Sequence, residues 1–181
     1  MSLQIRLYPD PMLRRTAEPI SEISDELRVL ADQMLETMIK EAGYGLAAPQ
    51  IGLSKRLIVV DIKDQSFVLI NPEIVEFSDE KQMSPEGCLS IPGVETDVER
   101  SQQVVIRGLN LDGDEIEVEA EDLLARVFQH EVDHLNGVLF IDHLGKTKRQ
   151  MILREFEKLQ KEKAAKAAAK SKSNVTPKAA R

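Results

Sequence analysis

The sequence predicts an α+β fold. Small antiparallel or mixed β-sheets should surround one central buried helix, with a further helix near the N-terminus and another near the C-terminus. Three observations carry this. The β-rich runs cluster between helical segments and do not alternate with them, which argues against a βαβ succession. The segment at 121–136 is apolar around most of its circumference, as a buried helix must be. The segments at 24–42 and from residue 146 onward carry narrower apolar stripes, as helices lying on a body do.

Each element has a local reason. At 24–42, Leu27, Leu30, Ala31, Met34, Leu35 and Met38 recur at helical spacing. Ser24 suits the N-cap, Asp25 and Glu26 suit the first turn, and Gly43 can end the helix. The run Gly43-Tyr44-Gly45-Leu46-Ala47-Ala48-Pro49-Gln50 is too small and glycine-rich for a core element, and Pro49 interrupts any helix. Residues 56–62 and 67–70 read as strands, the second ended by Asn71-Pro72, and 73–77 as a weaker one. Residues 104–109 and 116–119 flank a turn at Asp112-Gly113. Between these pairs, residues 84–93 read as a loop around the single thiol, Cys88. In the central helix, Leu123, Leu124, Val127, Phe128, Val132 and Leu135 are apolar, and Asn136-Gly137 supplies a stop. The last helix starts near Lys146 with Met151, Ile152, Phe156 and Leu159 as its stripe. After Lys161 the chain turns to Ala and Lys, where helix propensity stays high but nothing larger than Ala can be buried. Disorder is expected at 171–181.

The chain has 181 residues, which suits one domain with or without an appendage. Its 42% apolar content excludes a wholly disordered chain. No apolar run approaches the roughly 20 residues of a membrane helix, so no membrane partner is expected. Residues 1–6 show neither a long apolar region nor a small-residue cleavage site, so no secretory signal is expected. With one cysteine no internal disulfide can form, and a reducing, cytoplasmic location is the expectation. The net charge of −7 hides a division. Residues 146–181 hold 12 basic and 3 acidic side chains, while residues 1–145 hold 12 and 28. An acidic body with a basic end suggests a site in the body and an electrostatic handle beyond it.

The strongest local signal is His130-Glu131-Val132-Asp133-His134. Residues four apart share a helix face, so both imidazoles can reach one metal ion, and Glu131 lies close enough to touch a water bound there. With three His and 19 Glu, a shuffled chain would carry on the order of 0.005 such motifs. A purely structural helix is the alternative, but charged Glu131 and Asp133 on a mostly apolar helix need partners. Two imidazoles leave a catalytic metal site incomplete. From the residues alone the third ligand is open between Cys88, His143 and an acid elsewhere. Cys88 sits in a Pro/Gly-rich stretch after Glu86-Gly87, unlike a buried thiol in an apolar run. His143 lies beyond the Gly137 stop and cannot share the helix face by periodicity.

Three segments together resemble the peptide deformylase family. The run from Gly43 to Gln50 is similar to that family's first motif, Glu86-Gly87-Cys88-Leu89-Ser90 to its second, and His130-Glu131-Val132-Asp133-His134 to its third. They stand in the family's order, and the similarity spans roughly residues 3–160. Tyr44 is bulky for its apolar slot, and the chain beyond Lys161 lies outside the resemblance.

The resemblance implies a metal held by Cys88, His130 and His134 with water in the fourth position, and hydrolysis of the N-formyl group from the methionine that begins new proteins. Glu131 would be general base and then acid. The Gln50 amide and the Leu89 backbone N–H would stabilise the oxyanion. Ferrous iron is the implied metal, with zinc or nickel as substitutes. Gly45 and Gly87 would lie along an extended peptide bound by main-chain hydrogen bonds. Tyr44, Leu123, Val127 and, more weakly, Ser84 are candidates for a methionine side-chain pocket. Leu123 and Val127 could equally be ordinary core. Glu86 and Asp133 are expected to support a ligating His or to pair with Arg100.

These expectations divide the chain into a catalytic unit at 1–160 and a basic, Ala/Lys-rich tail at 161–181, partly disordered. The partners expected are N-formylmethionyl nascent peptides and, through the tail, ribosomal RNA near the exit site, with the protein itself a monomer. Two rivals remain from the residues: a zinc peptidase, which would not need Cys88 as a ligand, and a ribosome- or nucleic-acid-binding module with a structural metal.

Overall fold

The computed structural model describes residues 3–173. Ten main elements follow in chain order: α1 (Asp25–Lys40), β1 (Gly45–Ala47), β2 (Leu57–Ile62), β3 (Gln65–Phe77), β4 (Lys81–Cys88), β5 (Ile91–Ser101), β6 (Gln103–Leu109), β7 (Glu115–Glu121), α2 (Asp122–Leu135) and α3 (Lys146–Ser173). Five strands form one antiparallel sheet in the order β1-β2-β3-β6-β7, and β4 and β5 form a separate two-stranded sheet. The α+β expectation is met, with one helix before the strands and two after them.

The alternation of side chains along β2 sets the layers. Leu57 and Val59 pack toward α1, against Leu27, Met34 and Met38. Ile58, Val60 and Ile62 point the other way, against Ala125, Phe128, Val132 and Leu135 of α2. Both faces of this strand are covered, which is why it reads as an unbroken apolar run. A third cluster lies beyond α2, where Ile91, Val94 and Val98 of β5 meet Phe140, Ile152 and Phe156. Thus α2 lies between the large sheet and the β4–β5 hairpin, and α3 closes the far side with its narrow stripe. Among the described residues no helix is long and apolar enough to cross a membrane.

Four local expectations are corrected. The stretch at 84–93 is no loop: Lys81–Cys88 and Ile91–Ser101 pair antiparallel, with an irregularity between Glu86 and Cys88. The glycine-rich run at 43–50 is a core element after all, with Leu46, Ala47 and Ala48 fully buried. β3 runs straight through Asn71-Pro72, because Asn71 takes a left-handed conformation (φ 52°) at a register shift and its amide bonds both backbone groups of Ile20 at 2.8 Å. Helix α1 ends on Ala42 (φ 56°) where Gly43 was expected to do so. The Gly43 N–H bonds Met38 O and the Ala42 N–H bonds Ile39 O, a Schellman arrangement with alanine in the usual glycine place. At the C-terminus, Ser171–Ser173 belong to α3, and the rest of the segment expected to be disordered lies outside the described residues.

Candidate metal centre

Two stripes share α2. Ala125, Phe128, Val132 and Leu135 face the large sheet. Arg126, Gln129, His130 and Asp133, at i, i+3, i+4 and i+7, form a polar stripe aimed at the hairpin and at the side chains around it. The Gln129 amide pairs with the backbone of Ser101, accepting from its N–H at 3.1 Å and donating to its carbonyl at 2.9 Å. Arg126, Gln129, His130 and Asp133 can sit on a central helix because each of them has such a partner.

The polar stripe meets Cys88 at the end of β4. Cys88 Sγ lies 3.3 Å from His134 Nε2, which lies 3.1 Å from His130 Nε2. All three donor atoms fall within 4.8 Å of one another. Donors at ordinary sulfur and nitrogen distances around a tetrahedral ion are about 3.3 to 3.6 Å apart, so the cluster fits one cation. His143 is no part of it: that imidazole binds Asp133 at 2.7 Å on the far side of the network.

Surrounding charges orient the ligands. His130 donates through Nδ1 to Glu86 Oε1 at 2.6 Å, which leaves Nε2 for the cluster. Glu86 also accepts from Arg100 Nη2 at 2.6 Å and Nε at 3.2 Å, and from Arg126 Nη1 at 3.0 Å. Arg100 in turn donates to Asp133 at 2.6 Å. The structure therefore sets both Glu86 and Asp133 against Arg100, and Glu86 against His130. Burial pushes the Glu86 carboxyl up, but the His130 and Arg100 hydrogen bonds outweigh it and hold the group well below the usual carboxylate range. Burial likewise drives His134 down, so its imidazole stays neutral. On His130 burial is outweighed by Cys88 and Glu86, which raise it. A metal bound at this cluster would displace a proton from His130, whose charged form Cys88 and Glu86 favour.

Beside the cluster opens a cavity of about 640 Å³. Tyr44, Gly45, Gln50, Gly87, Cys88, Leu89, Leu123, Val127, His130 and Glu131 all line it. Glu131 is 3% exposed, and burial pushes its carboxyl up to about 7. Among the described residues its Oε2 has no hydrogen-bond partner. Gly45 makes room for it: a Cβ there would stand 2.8 Å from Glu131 Cγ and Cδ. Gln50 is buried, with Oε1 accepting from the Ala47 N–H at 2.8 Å and Nε2 reaching Ser90 Oγ at 3.2 Å and Cys88 Sγ at 3.6 Å. A carboxylate with a free oxygen, an amide and a cation site on one cavity wall can activate water against a bound carbonyl.

The family model for polypeptide deformylase matches residues 2–150. The chain belongs to the polypeptide deformylase family. A peptide deformylase of Acidobacterium capsulatum is 49% identical over 159 residues, covering 85% of this chain and 93% of the relative. One from Thermodesulfovibrio yellowstonii is 50% identical over 160 residues, covering 86% and 96%. Among solved structures, a peptide deformylase from Legionella pneumophila superposes with a TM-score of 0.87 at 41% identity, over 91% of this chain and 98% of that one. A peptide deformylase from Synechococcus elongatus in complex with actinonin gives 0.83 at 44% identity, over 86% of each chain. The likeness spans all three motif segments, and the family is one of enzymes.

Within this deformylase fold, most of the residues picked from the sequence converge on the one cavity. Tyr44 and Leu123 sit at its rim, 56% and 36% exposed, while Val127 is buried in its wall. His134 is buried and is not one of the lining residues. Ser84 does not reach the cavity; it pairs with Val98 in the hairpin. Sequence reasoning missed Arg126, Gln129 and Ser90. The first two were findable, because they share helical spacing with His130 and Asp133. Ser90 gave no signal beyond its motif.

Proposed function

We propose that this chain is a metal-dependent hydrolase that removes the formyl group from the N-terminal methionine of newly made proteins, releasing formate and a free amine. One observation supports it most: Cys88 Sγ and two imidazole nitrogens form a single donor cluster, and Cys88 and His130 line the same cavity as Glu131. A divalent ion held there supplies Lewis acidity, polarising a carbonyl oxygen and lowering the pKa of a water. The donor set of one thiolate and two imidazoles suits ferrous iron or zinc. We assign iron as the working metal, with zinc or nickel able to replace it.

Glu131 takes the proton from the attacking water and passes it to the departing amine nitrogen. Burial raises its carboxyl pKa, which strengthens it as a base. The Gln50 amide, already turned toward Cys88, and the Leu89 backbone N–H stabilise negative charge on the formyl oxygen. The segments around Gly45 and Gly87 bind the peptide backbone as an added strand, and Val127, Leu123 and Tyr44 surround the methionine side chain. A peptidase using the same helix is disfavoured by Cys88, which such an enzyme would not need beside its imidazoles.

The test is formate release from a formyl-methionyl peptide by protein prepared anaerobically. Wild type should release formate, and Glu131→Ala should lose ~10²–10⁴ in rate with its fold intact. Unchanged formate release by Glu131→Ala would reject the assignment of the base. Absence of release by metal-loaded wild type would reject the activity.

Residues 161–181 would then be a cytoplasmic address attached to a catalytic unit at 1–160. Residues 161–172 are exposed along α3, five of them lysines. We assign ribosomal RNA near the exit site as their partner, where formylated chains emerge. Ribosome affinity should fall steeply with salt and vanish when 161–181 are deleted; retained, salt-insensitive binding would contradict this.

A further inference from the structure

We propose that Arg126 is a positioning residue for the metal centre, fixing the hairpin that carries Cys88 against the helix that carries both imidazoles. The inference rests on the metal reading of Cys88, His130 and His134 given above.

The three donors come from two separate bodies. Cys88 ends β4 in the two-stranded sheet, which shares no strand pairing with the five-stranded one. His130 and His134 belong to α2. A 3.3 Å spacing between Cys88 Sγ and His134 Nε2 needs these bodies held within a few tenths of an ångström. Apolar packing does not supply that register. The apolar side chains of β5 pack on Phe140, Ile152 and Phe156, whereas those of α2 pack on the large sheet. What joins hairpin and helix is the polar stripe.

Within that stripe Arg126 reaches furthest. Its Nη2 donates to Gln82 O on β4 at 2.7 Å, and its Nη1 donates to Val98 O on β5 at 2.9 Å and to Glu86 Oε2 at 3.0 Å. It therefore ties both strands of the hairpin, and the carboxylate that orients His130, to the helix one turn before His130. Gln129 holds only the far end of β5. Asp133 and His130 reach the hairpin through the side chains of Arg100 and Glu86. Arg126 is 4% exposed, so its fork is held in one place. A planar guanidinium can meet two carbonyls and a carboxylate together, and an ammonium on a flexible stem cannot hold the same geometry.

The experiment loads full-length wild type, Arg126→Lys and Arg126→Met with cobalt(II) under anaerobic conditions. The thiolate-to-cobalt charge-transfer band reports the Cys88 bond, the visible bands report coordination geometry, and chelator competition gives the affinity. Circular dichroism checks the fold. Arg126→Lys keeps the charge facing Glu86 and loses the fork. It should fold, weaken cobalt binding ~10–100-fold and diminish or shift the charge-transfer band. Arg126→Met should do so at least as strongly. A folded Arg126→Lys with the wild-type band and wild-type affinity overturns the proposal. Failure of both variants to fold also overturns it, because Arg126 would then serve the fold as a whole. Absence of any cobalt–sulfur band in wild type would instead reject the metal reading itself.

Discussion

Replacing Gly45 by alanine probes the catalytic geometry through a single methyl group. Gly45 is in β1, outside the left-handed region, so alanine meets no backbone penalty there. The new Cβ would stand 2.8 Å from Glu131 Cγ and Cδ, where ordinary contact begins at 3.4 Å. Glu131 Oε1 is nearer still, so the side chain must give way by at least roughly 0.6 Å, and it does so from a buried position on a rigid helix. A misplacement of about 1 Å at a reacting group costs on the order of 10²-fold, so a shift of this size should lower kcat by about 10- to 100-fold. That corresponds to about 1.4–2.7 kcal/mol in the barrier. The three atoms nearest the methyl group all belong to Glu131 and none to Cys88, His130 or His134, so the metal content should stay at the wild-type level. The assay is steady-state formate release beside metal analysis of the same sample. A wild-type kcat in the variant would refute the steric argument. A loss of activity that tracked a loss of metal would refute it too, because the damage would then lie in the ligands.

Three further outcomes follow from the structure. Glu86→Gln removes the carboxylate shared by Arg100, Arg126 and His130, and should destabilise the fold by about 3–5 kcal/mol in denaturant unfolding, the usual result of stranding buried charges. Ala42→Gly should stabilise the protein by roughly 0.5 kcal/mol, because relief of the left-handed strain outweighs the added flexibility of the unfolded chain; thermal unfolding reads it. Partial burial raises the Asp142 carboxyl, but Arg14, the Leu139 N–H and Arg149 together hold it below its ordinary range. A carboxyl depressed on folding stabilises above its unfolded pKa of ~3.9 and loses that contribution as the pH falls below it. Asp142→Asn should therefore lose less stability than wild type between pH 5 and 3, and an equally steep acid limb would contradict this.

The legible parts of the fold were those whose apolar pattern is complete within one short stretch of sequence. α1 and β2 declared themselves by spacing, and so did the narrow stripe of α3. The hairpin did not, because Pro85, Gly87, Pro92 and Gly93 are poor strand residues; its pairing is upheld by tertiary contacts from Arg126, Gln129 and the apolar face of α3. β3 was broken in two at Asn71 because no local signal shows that its amide will be anchored on Ile20, 51 residues away. In the site, helical spacing alone brought His130, Glu131 and His134 together. Cys88 came in through the resemblance of its motif, since no spacing rule links a strand end to a helix over 42 residues. The polar stripe of α2 was overlooked because apolar residues occupy the same helix. Testing the same 3–4 spacing on Arg126, Gln129, His130 and Asp133 exposes it.

The most direct measurement of the central claim is X-ray absorption at the edge of the metal bound to the full-length protein. One sulfur at about 2.3 Å and two imidazole nitrogens at about 2.0–2.1 Å, with room for one further light atom, is the coordination expected. A metal shell without sulfur, in a sample that releases formate at its full rate, would contradict it.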